Sequence, residues 1–174
     1  MSFLYFAYGS NLLRERIHIS NPSAVFVAAA KLNNYRLGFC IKPEWKENLT
    51  RWRGGAGTIV KSEGDSVWGV VWKLDSTDLE SLDKQEGVHE GVYRRLEHLQ
   101  VTAATSQSIL ECISYQFKDP FFVKPSPYYL KVIKMGALQN NLPEEYRRYL
   151  DSIEDNGYSG PLPVFDEIMR NVKL

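Results

Sequence analysis

The chain has 174 residues, with 21 Lys+Arg balanced by 21 Asp+Glu. A net charge of zero removes the argument for a nucleic-acid or polybasic membrane-surface protein, both of which need a basic field. At 44% hydrophobic and 24% charged residues the composition is that of an ordinary globular protein, long enough to bury roughly 70% of its unfolded surface without a disulfide or metal staple.

The opening run Met1 to Tyr8 is apolar but short and lacks a basic leader, so it reads as neither signal peptide nor anchor. Phe3 to Tyr8 predicts a buried strand ending in the turn Gly9-Ser10-Asn11. Leu13 and Ile17 share a face in a helix over 12–17 that Asn21-Pro22 stops. Strands are expected over 25–32 and 35–41, with Asn33-Asn34 as a hairpin turn between them. Residues 42–54 have no clean period, carry four basic against two acidic side chains, and read as an exposed loop. Strands over 56–61 and 67–74 flank the turn Ser62-Glu63-Gly64-Asp65-Ser66. Gly69, inside the second, signals a bulge or a close approach of something to the backbone.

Thr77-Asp78-Leu79-Glu80 has the pattern of a capping box, opening a helix that Gly87 should end. Strands follow over 93–103 and 108–117, the first alternating so that one face is solvated. Ser126-Pro127 should cap a helix over 128–139, Pro143 opens another, and 164–173 forms a terminal helix. Hairpin-connected strands with helices gathered toward the C-terminal end imply an α+β fold, with about six strands able to close a small barrel. No linker or internal repeat interrupts the chain, so 1–174 is read as one domain, the tail beyond about 155 being peripheral. Cys40 and Cys112 sit in apolar runs and read as free buried thiols. The histidines and cysteines lack metal-ligand spacing, so no metal is expected.

Three features offer chemistry. Tyr8-Gly9-Ser10-Asn11 leaves consecutive amides able to face one anion, a carboxylate or a developing oxyanion, though it also fits an ordinary turn with Ser10 or Asn11 as N-cap. Glu86, at the C-terminal end of its helix, faces the negative pole of the helix dipole, which with partial burial raises a carboxyl pKa toward that of an acid/base catalyst. The alternative for Glu86 is a solvated side chain at a helix end. Ten tyrosines, among them Tyr5, Tyr8, Tyr93 and Tyr129, can line a pocket with hydroxyl donors, or simply fill a β-rich core.

Together these stretches resemble γ-glutamylcyclotransferase. The resemblance lies in Phe6-Ala7-Tyr8-Gly9-Ser10-Asn11-Leu12, Val67-Trp68-Gly69-Val70-Val71-Trp72, Leu82-Asp83-Lys84-Gln85-Glu86-Gly87, Gly91-Val92-Tyr93, Pro125-Ser126-Pro127 and Lys134-Met135-Gly136-Ala137. It spans most of 2–150 and fades over 42–54 and beyond about 155. What it implies is a small mixed β-barrel flanked by helices, working without cofactor on γ-glutamyl amino acids to release 5-oxoproline and the free amino acid. By motif, Glu86 becomes the acid/base. Tyr5, Phe6, Ala7, Tyr8, Gly9 and Ser10 form the loop that binds the γ-glutamyl group, Tyr129 is a pocket tyrosine, and Tyr93 is a further pocket member. The partner is a small γ-glutamyl molecule, with neither nucleic acid nor membrane, and the resemblance implies a cytoplasmic homodimer. Two alternatives stand beside this: a cyclotransferase for γ-glutamylamines or glutathione, and a non-catalytic module that binds a γ-glutamyl ligand.

Overall fold

The computed structural model describes residues 1–172. Six strands lie in one sheet: β1 (Ser2–Ala7), β2 (Val25–Ile41), β3 (Ala56–Asp75), β4 (Tyr93–Ala103), β5 (Ile109–Phe117) and β6 (Phe121–Phe122). Their order is β3-β1-β5-β4-β2-β6, and an additional β2–β3 pairing closes the first five into a barrel. Only β1 and β5 run parallel; every other pair is antiparallel. Five helices pack around it: α1 (Arg14–Ser20), α2 (Leu79–Gln85), α3 (Pro127–Gln139), α4 (Glu144–Asp151) and α5 (Pro163–Asn171). Lys173, the last residue of the expected terminal helix, lies outside the described residues.

Two expected turns are corrected. Asn33-Asn34 does not turn the chain back: β2 runs unbroken from Val25 to Ile41, pairing with β3 from Val25↔Lys73 to Cys40↔Ala56. The register jumps from Asn33↔Ser66 to Tyr35↔Lys61, so residues 62–65 bulge opposite Asn34. Asn34 has φ 64 and Gly64 φ 86, and the Gly64 amide donates to Asn34 Oδ1 at 3.2 Å. The left-handed residues that make a hairpin also make a bulge, and here they kink one long ribbon without ending it. That kink, with a second register shift between Phe26 and Ala28, lets β2 and β3 bend round the barrel.

Gly69 is a close approach and not a bulge: it stays in register opposite Ala30, and a Cβ there would meet Ala7 O at 2.2 Å. The capping box at Thr77–Glu80 does not form. A short 3₁₀ turn, Ser76–Asp78, leads into α2, and Asp78 makes no cap bond; its carboxylate instead accepts from the Ser23 hydroxyl. The Ser126 cap on α3 does form, its hydroxyl accepting from Tyr129 N at 3.2 Å. β6, between prolines 120 and 125, adds a two-residue edge on β2 that the sequence pattern does not reveal.

A contiguous core runs from Phe6, Val70, Val71 and Trp72 in the barrel to Leu130, Ile133, Leu150 and Ile168 on the helices. Trp72 is fully buried, whereas Trp68, on the same face, is half-buried. Gly136 sets how closely α3 approaches, since a Cβ there would lie 2.5 Å from Leu12 Cβ and 2.7 Å from Leu13 N. The helix therefore rests on the turn that follows β1. Cys40 and Cys112 are free and buried, and burial pushes both thiols up to about 12.

Candidate active site

The turn after β1, the C-terminal end of α2, the start of α3 and the segment 42–54 converge on one cavity of about 300 Å³. That volume is at the small end for ligand sites and suits a small molecule. Tyr5, Tyr8, Gly9, Ser10, Glu86, Tyr93 and Tyr129 all line it. Phe6 and Ala7 do not; both are fully buried in the core, where Ser114 Oγ donates to Phe6 O at 2.8 Å. Of the expected loop, then, Tyr5 and the residues beyond the strand end, Tyr8, Gly9 and Ser10, reach the cavity.

The turn is built differently from an N-cap. Ser10–Leu12 is a single 3₁₀ turn with Gly9 at its N-cap, and neither Ser10 nor Asn11 caps anything with its side chain. Its closing bonds are donated by Leu12 N to Gly9 O and Leu13 N to Ser10 O, and among the described residues nothing accepts from the Gly9 and Ser10 amides. Asn11 is 3% exposed and acts as a brace. Its Nδ2 donates to Tyr5 Oη at 3.1 Å, its Oδ1 accepts from Gln85 Nε2 at 3.2 Å, and its carbonyl accepts from Trp72 Nε1 at 2.9 Å. The strand end and the last residue of α2 are thereby tied together, next to Glu86.

Tyr129 is held by absence of side chains on either side. A Cβ on Gly9 or on Gly57 would each sit 2.9 Å from its hydroxyl. The Gly57 amide donates to Tyr129 Oη at 2.8 Å, and Tyr93 Oη donates to Gly57 O at 2.7 Å. Trp52 packs edge-on against the Tyr129 ring at 4.9 Å. Because its oxygen already accepts from Gly57, Tyr129 keeps its own proton to offer to a ligand. Burial pushes the hydroxyls of Tyr5, Tyr8, Tyr93 and Tyr129 well above their ordinary value, so all remain protonated donors at neutral pH.

Glu86 closes α2 as its C-cap, and Gly87 follows at φ 65, as its sequence position implies. Among the described residues nothing pairs with the Glu86 carboxylate. Burial, foremost, pushes it up to about 7, with the charge of Asp83 adding and those of Arg16 and Arg51 opposing. One turn earlier on α2, Asp83 has the opposite surroundings: Arg95 pairs with it at 2.6 Å and Tyr115 Oη donates to it at 2.6 Å. Two carboxylates on one helix are thus divided, one neutralised by partners and one left poised between protonation states.

Several cavity residues escape the sequence reading. Arg16 falls in the Leu13–Ile17 stripe of α1, where a charged residue at an apolar position is itself a signal. Trp45, Arg51 and Trp52 come from the segment expected to be an exposed loop, yet they line the cavity and Trp52 is only 7% exposed. Gly57 gave no signal beyond being a glycine in a strand.

The chain is similar to known proteins over almost its whole length. Residues 66–150 match the AIG2-like family. The chain is 54% identical to a γ-glutamylcyclotransferase of Bos taurus, over 99% of its own length and 88% of the relative's. It is 49% identical to the Homo sapiens protein of that name, with the same coverage. A solved γ-glutamyl cyclotransferase structure, 44% identical, superposes with a TM-score of 0.91 over 98% of this chain and 99% of the other. The superposed fold and identity near one half along almost the entire chain place this protein in the γ-glutamylcyclotransferase family.

Proposed function

We propose that the protein converts γ-glutamyl amino acids to 5-oxoproline and the free amino acid, with Glu86 as the acid/base. The observation that carries this is an unpaired carboxylate raised to about 7 in a cavity rimmed by free turn amides and protonated tyrosines. The substrate's own α-amine is the nucleophile, so the site must mainly hold the chain folded with amine against γ-carbonyl, where tethering supplies most of the advantage. The α-ammonium, of pKa about 8, gives its proton to Glu86. The freed nitrogen pair forms the ring C–N bond, and the γ-carbonyl oxygen takes up negative charge, stabilised by the Gly9 and Ser10 amides and the Tyr129 hydroxyl. As the original amide C–N bond breaks, Glu86 returns the proton to the leaving nitrogen. The carboxylate ends as it began, and one bond has formed for one broken.

An unpaired carboxylate also suits the α-ammonium of a bound γ-glutamyl ligand, so release of 5-oxoproline, and not binding, separates the enzyme from a binding module. The substrate class is tested by incubating the purified protein with L-γ-glutamyl-L-alanine, glutathione and a γ-glutamylamine in parallel. Release of 5-oxoproline from the dipeptide well above the other two supports the assignment, and a preference for either of the others replaces it. We further infer one domain over 1–174, a cytoplasmic setting in keeping with two free buried thiols, and a homodimer. Sedimentation at the mass of a single chain would overturn the last.

A further inference from the structure

The cyclisation steps leave two arginines of the cavity unused. Arg16 is 3% exposed, lines the cavity, and its Nε has no hydrogen-bond partner among the described residues. A guanidinium in that position is costly to bury unless something arrives to pair with it. Arg51, from the segment 42–54, is exposed and lines the same cavity. Neither is in an ion pair among the described residues. All three groups, Arg16, Arg51 and Glu86, line the one cavity, and both guanidinium charges act on Glu86. Lys84 and Glu90 also reach the cavity, but neither is among the charges that act on Glu86.

A γ-glutamyl amino acid brings two carboxylates, one on the carbon that bears the attacking amine and one on the amino acid that leaves. We propose that the protein holds both: buried Arg16 anchors the carboxylate of the γ-glutamyl unit, and Arg51 at the rim anchors the carboxylate of the departing amino acid. Planar guanidinium forks suit carboxylates and fix orientation as well as position. The assignment by depth follows from the reaction: the cyclising half must sit against Glu86, while the leaving half must exit through the mouth. With the inner carboxylate on Arg16, the Gly9 and Ser10 amides remain for the oxyanion. Arg51 then acts as a specificity residue, separating γ-glutamyl amino acids from γ-glutamylamines. This rests on the function proposed above.

The test removes each partner in turn. L-γ-Glutamylethylamide is L-γ-glutamyl-L-alanine without the acceptor carboxylate, and Arg51 is exposed, so Arg51→Gln leaves the fold intact. Rates are compared at the maximum of each variant's own pH profile, so that a shift in Glu86 ionisation is not read as a loss of binding. Arg51→Gln should raise KM for the dipeptide by about 10- to 100-fold, the loss expected for a charged hydrogen bond, and leave the ethylamide within about twofold. Equal losses on both substrates, or no loss on either, overturn the role of Arg51. Arg16→Lys keeps the charge but loses the fork, and should raise KM about tenfold on both substrates alike. An unchanged KM on both overturns the role of Arg16. A wild-type protein that releases 5-oxoproline from neither substrate overturns the proposed function itself, and this inference with it.

Discussion

At the scale of single residues, the site depends on one carboxylate being left without a partner. Asp83 and Glu86 lie one turn apart on α2, yet Asp83 is neutralised by Arg95 and Tyr115 whereas Glu86 is raised to about 7 by burial. A general base must be ionised to accept the α-ammonium proton. The rate at low substrate should therefore rise with pH through a limb near 7, well above the ordinary carboxylate value of 4.5. A pH profile of kcat/KM checks this, and a limb at the ordinary value would show that Glu86 is not the base. Much of this was readable in advance: a glutamate ending a helix just before a glycine is placed where its charge is disfavoured. The cause differs, since burial is the largest contribution and the expected dipole effect is not needed to explain it. Arg16 was not among the expected site residues, although a charge within an apolar stripe is a signal, whereas Arg51 and Trp52 left none. Their segment has no periodicity, and only the closed fold brings it over Tyr129.

At the scale of elements, glycines set the distances on which the cavity depends. α3 carries Tyr129 at one end and rests its Gly136 on Leu12 and Leu13 at the other. Gly136→Ala places a Cβ against backbone that cannot yield, so it should destabilise by about 1–3 kcal/mol and lower kcat/KM through the displaced Tyr129 hydroxyl. Urea unfolding and steady-state rates on the same preparation check both effects, and a variant unchanged in both would show that the packing has slack. Local chemistry predicted this helix well because Ser126 and Pro127 start it by their own backbone preferences. It misread the Asn33-Asn34 turn for an equally local reason. A residue with φ above zero serves a hairpin or a bulge alike, and the choice is made by what pairs across the ribbon. The capping box failed in the same way: Asp78 had a partner elsewhere, Ser23, that no neighbouring residue reveals.

At the scale of the whole molecule, the barrel is closed by β2 pairing with β3 over the full length of β2. An α+β barrel was readable from strand count and connection lengths, but the closing pair was not, because it joins segments that each looked like two separate strands. Closure draws the β1 turn, α2, α3 and the segment 42–54 around one cavity and leaves Glu86 half-buried there. That burial has a consequence for stability. A carboxyl whose folded pKa is raised resists ionisation in the native state. Its contribution is therefore fully present below 4.5 and is lost as pH rises through about 7. Glu86→Gln, neutral throughout, should match the wild type in acid and melt a few degrees higher above neutrality, as expected where a site trades stability for activity. Thermal melts across pH check this, and a variant that is less stable at alkaline pH would contradict it. The most direct measurement is an endpoint assay of 5-oxoproline by mass spectrometry, from L-γ-glutamyl-L-alanine, with wild type and Glu86→Gln side by side. Product from the wild type and roughly 100-fold less from the folded variant is the predicted result. Near-equal product from the two would contradict the central role of Glu86.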